Sequence, residues 1–62
     1  MNGDEFIQGF ACAIACIIRS YDESSVALGI LNENGFVLDD LKRAKVDNYD
    51  YKVIKEAMRK LT

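Results

Sequence analysis

The chain contains no histidine and no tryptophan, and only two cysteines, in 62 residues. Without histidine the commonest general base and metal ligand is missing, and no hydroxyl or thiol stands in a pattern that supplies it with a base. The expectation is a protein that is not an enzyme and carries no metal and no cofactor. Long apolar runs are lacking too. Phe6 to Ser20 is the longest, it is broken by Arg19, and it is shorter than the ~20 apolar residues that span a bilayer. The residues before it are Asp4 and Glu5 rather than a basic cluster, so it does not read as a secretory signal. No membrane association is therefore expected, and the predicted location is the cytoplasm, with both thiols reduced.

Sixty-two residues allow one helical domain, 1–62, whose folding buries only about 60 % of the surface of the unfolded chain. A core that small calls for support, and a partner chain is the simplest source of it. The net charge of −2 conceals a gradient. Residues 1–35 hold one base (Arg19) against five acids, while residues 36–62 hold seven bases against five acids.

Apolar periodicity predicts four helices. The first, Asp4 to Ser20, gathers Phe6, Ile7, Phe10, Ile14, Ile17, Ile18 and Tyr21 within an arc of about 120°. Asn2 or Gly3 can cap it, with Asp4 and Glu5 in the first turn, where the helix dipole favours acids. The second, Glu23 to Asn32, follows Asp22 as N-cap, turns Val26, Ala27, Ile30 and Leu31 inward, and stops at Asn34-Gly35. Gly29 inside it suggests a close approach by a neighbour. A rival hairpin pairing Ile30–Glu33 with Phe36–Asp39 lacks the alternation that strands need. The third, Leu38 to Lys45, has acids at its start and bases at its end, with Leu38, Leu41 and Ala44 on one side. The fourth, Asp50 to Leu61, takes Asp50 as N-cap and separates Tyr51, Val53, Ile54, Ala57, Met58 and Leu61 from a charged face. The fold class is all-α: a compact bundle of four short helices with the first at its centre.

The back of the first helix carries Gly9, Cys12, Ala13, Cys16 and Ser20, where a solvated face would normally carry more charge. Small residues three and four apart let another helix approach closely. Gly9, Cys12, Ala13 and Cys16 are thus the candidate interface for a homodimer or a foreign helix. Two thiols one turn apart fall short of the four ligands of a zinc site unless two chains pool them, and their Cβ directions in a helix do not suit a disulfide. Phe36 reads as core filler, and Tyr49, set among Asp47, Asn48 and Asp50, as a further interface residue.

A DNA-reading helix-turn-helix is the alternative. Against it, bulky Leu31 stands four residues before the turn glycine Gly35, and Asp39-Asp40 would open the reading helix. The chain is also acidic overall, which disfavours a nucleic acid as partner. The basic stripe Lys52, Lys55 and Arg59 is what favours it.

The segment Gly9-Phe10-Ala11-Cys12-Ala13-Ile14-Ala15 with Ile17-Ile18-Arg19, followed by Leu38-Asp39-Asp40-Leu41-Lys42 and Val46-Asp47-Asn48-Tyr49-Asp50, resembles short helical proteins encoded by bacteriophages and prophages. That resemblance spans most of the chain and implies no activity for any residue. It implies a class of role: an accessory protein in a bacterial host cell that binds a host or defence protein stoichiometrically, as inhibitor or adaptor.

Overall fold

The computed structural model describes residues 3–61. Four α-helices follow one another: α1 (Gly3–Tyr21), α2 (Ser24–Glu33), α3 (Leu38–Arg43) and α4 (Asn48–Leu61). No strand occurs among the described residues, and residues 30–39 form the end of α2, a turn and the start of α3 rather than a hairpin. Gly3 lies inside α1, while Asn2, the other proposed cap, is outside the described residues.

The helix ends follow from local chemistry. α2 stops where Gly35 turns left-handed at φ +77°, and the Phe36 N–H then reaches the Leu31 carbonyl at 3.3 Å. The same closure ends α3, with the Val46 N–H bonded to the Leu41 carbonyl at 3.1 Å. There the left-handed residue is Lys45, at φ +58°, so Lys45 lies beyond the helix it was expected to finish. Asp22, the expected cap of α2, is also left-handed, at φ +54°. Glu23 occupies the cap position instead and makes no side-chain bond there.

At the start of α3 the Asp40 carboxylate accepts the Val37 N–H at 2.9 Å and pairs with Arg43. The Val37 N–H chiefly, and the neighbouring guanidinium in addition, hold its pKa below the ordinary aspartate value against the opposing effect of desolvation. α4 begins two residues before the sequence suggested, because Asp47, not Asp50, accepts the Tyr49 N–H, at 3.0 Å.

The core consists of Ala11, Ile14, Ala15, Ala27, Leu31, Leu41, Ala44, Ile54 and Ala57. Five of these nine are alanine, so Ile14, Leu31, Leu41 and Ile54 are the large side chains that fill it. α1 packs against the other three helices as expected, but α4 does so too and shares the centre. The face α1 turns inward runs through Ala11, Ile14 and Ala15, to one side of the expected arc of large residues. Phe6, at one edge of that arc, and Tyr21, at its centre but in the last position of the helix, are 53 % and 70 % exposed. Val26, expected inside on α2, is exposed as well. The helices settle over the alanines because small side chains let backbones come close and bury more of each helix cylinder. Gln8 anchors one flank of this arrangement, donating to the Ala44 carbonyl at 2.8 Å and satisfying a group left open at the end of α3. At the other flank Phe6, Phe10 and Phe36 cluster, with ring centroids 5.3–6.4 Å apart.

Candidate protein-docking surface

Because α1 turns inward over Ala11, Ile14 and Ala15, the side opposite lies in solvent along the whole helix. Gly9, Cys12, Ala13 and Ser20 are exposed there and Cys16 is partly so, with its Sγ 3.9 Å from the Ser20 hydroxyl. Phe6 completes the strip at its N-terminal end. Arg19 stands at the edge, and its guanidinium carbon lies 5.5 Å above the centre of the Tyr49 ring. This contact brings Tyr49, 55 % exposed, up to the edge of the strip near the C-terminal end of α1. Tyr49 reaches that edge from the first turn of α4, not from the loop where the sequence placed it.

Both cysteines are free, Cys12 is exposed, and among the described residues no three Cys, Asp or Glu side chains gather into a group able to hold a metal. Gly29 is also exposed, and a Cβ built there meets nothing within 4 Å, so no neighbour's close approach explains that glycine.

Lys52, Lys55 and Arg59 line the solvent face of α4 beside a shallow concavity of about 700 Å³ that Tyr49, Val53 and Glu56 also border. Arg59 is paired with Glu56, whose pKa is held below the usual glutamate value chiefly by that guanidinium. A second, mainly apolar groove of about 400 Å³ opens between Leu28, Phe36, Val37 and Met58. It forms only where the α2–α3 turn meets α4, so no pattern along the chain announces it. Among the described residues no helix is long and apolar enough to cross a membrane.

No protein-family model, curated protein or solved structure matches the chain.

Proposed function

We propose that this chain is a non-enzymatic accessory protein of the phage type that works by stoichiometric protein binding, as an inhibitor or adaptor directed at a host or defence protein. Its docking surface is the solvent side of α1, built from Gly9, Cys12, Ala13 and Cys16, with Tyr49 at its edge. The observation that carries this reading is the strip itself: from Phe6 to Ser20 the outward side of α1 offers apolar and small side chains and no charge along its middle. Such a surface costs solubility when left in water and gains by being covered. The strip accepts a helix, either from a two-fold related copy or from the target.

The test is capture of the tagged chain's partners from a bacterial lysate, with and without nuclease, beside the Ala13→Phe variant. Ala13 faces solvent, so phenylalanine there leaves the monomer folded but obstructs an approaching helix. A protein retained in stoichiometric amount and resistant to nuclease is the expected result, and its loss in the variant assigns the docking surface to α1, whether α1 acts alone or paired with a second copy. Retention unchanged by Ala13→Phe would remove α1 as the docking surface.

The alternative, a small DNA-associated regulator, is favoured by Lys52, Lys55 and Arg59 lying exposed in one line on α4. It requires binding to arbitrary DNA at low salt that weakens steeply as salt rises. Absence of binding at low salt excludes it.

A further inference from the structure

We propose that the occupant of the α1 surface is a second copy of this chain, laid antiparallel across a two-fold axis that passes beside Cys12. The inference rests on the reading of α1 as a docking surface and adds the partner and its register.

Three features of α1 point the same way. The outward positions Phe6, Gly9, Ala13, Cys16 and Ser20 are separated by alternating steps of three and four residues. That spacing is the seam along which two helices interlock side chains. Size changes along the seam, with the bulky Phe6 at one end and small residues through the rest. An antiparallel partner sets Phe6 against the second copy's Cys16, and Gly9 against the second copy's Ala13, so bulk meets space at both ends. A parallel partner would set Phe6 on Phe6 and splay the pair.

The flanks give an independent check on the register. On the side of the strip where Arg19 meets Tyr49 stand Glu5, Cys12 and Arg19 in the helical register, one heptad apart. The antiparallel register that seats Phe6 on Cys16 brings Glu5 beside the second copy's Arg19, twice over by symmetry, and places the two Cys12 side chains next to each other at the axis. Arg19 is already held along that edge by its contact with the Tyr49 ring. On the other side, where Phe10 meets Phe36, the same register sets Phe10 beside the second copy's Ile17, and both are only partly covered in the single chain. Charge, size and apolar flank thus select one register. α1, about 28 Å long at 1.5 Å per residue, nearly matches the molecule's 30 Å longest extent, so the pair runs its full length.

The test is the dissociation constant of the full chain by sedimentation equilibrium, with charge-swapped variants. A dimer is expected, with Glu5→Lys and Arg19→Glu each weakening it about tenfold, through loss and repulsion at two symmetric contacts, and the double variant returning to within about threefold of the parent. In Cys16→Ser, where Cys12 is the remaining thiol, a short bis-maleimide should link two copies; in a parallel pair those thiols lie on opposite sides. Circular dichroism of each variant checks that α1 remains helical. A chain that stays monomeric at hundreds of micromolar overturns the proposal. If that monomer still loses a captured protein on Ala13→Phe, the docking surface stands and its occupant is foreign. A dimer indifferent to the charge swaps and not linked through Cys12 overturns the register.

Discussion

Lys45 carries a backbone conformation that side chains disfavour. At φ +58° its Cβ crowds the following carbonyl, at a cost of roughly 1 kcal/mol or more that glycine does not incur. Lys45→Gly is expected to stabilise the fold by up to about 1 kcal/mol, raising the melting temperature by roughly 4–8 °C in a domain of this size. The gain is smaller if glycine also loosens the unfolded chain. Gly29 poses the opposite case, an exposed glycine inside α2 with open space where a Cβ would stand. Gly29→Ala should add about 0.5–1 kcal/mol, read as a higher urea midpoint. The two positions also show the limits of the sequence. Gly35 announced its left-handed turn because glycine is the residue such turns select. Lys45 did not, because the Val46-to-Leu41 closure that imposes the turn depends on where Leu41 is buried.

Among the elements, α3 is the most dependent on its ends, for six residues are too few to hold a helix by themselves. It is kept by burial of Leu41 and Ala44, by Gln8 at its C-terminus and by Asp40 at its start. Asp40 has a lowered pKa in the folded chain, so its contribution is present above the ordinary aspartate range and fades as pH falls through the lowered value. Asp40→Asn should therefore be less stable than the parent at neutral pH, and the gap should close as the pH is taken into the acid range, in parallel urea melts. A gap independent of pH would assign the effect to packing. Helix existence was legible throughout because the 3.6-residue period and the turn signal at Asn34-Gly35 agree. The inward face of α1 was not. A hydrophobic arc points to its largest residues, whereas the packed helices centre on Ala11 and Ala15, which weigh little in such an arc. That the far side of α1 carries small, uncharged residues was nonetheless legible, since missing charge along a helix does not depend on how far the helix rotates.

For the molecule as a whole, the core sets how much can be lost. Globular domains hold about 0.05–0.15 kcal/mol of stability per residue, which for this length is roughly 3–9 kcal/mol. Four large side chains fill the centre, and truncating one of them to alanine costs about 2–5 kcal/mol through lost transfer energy and the cavity left behind. Ile14 is the most telling of the four. It lies on α1 at 1 % exposure, on the helix that touches every other, while α1's opposite side remains in water. Ile14→Ala should therefore lose its far-UV helical signal, in dilute solution at 25 °C, at a urea concentration that leaves the parent folded. If α1 pairs with a second copy, association is linked to folding and the helical signal of Ile14→Ala should return as concentration rises. The same variant combined with Ala13→Phe should stay unfolded over the same range, which separates support from the pair from any reserve within the single chain.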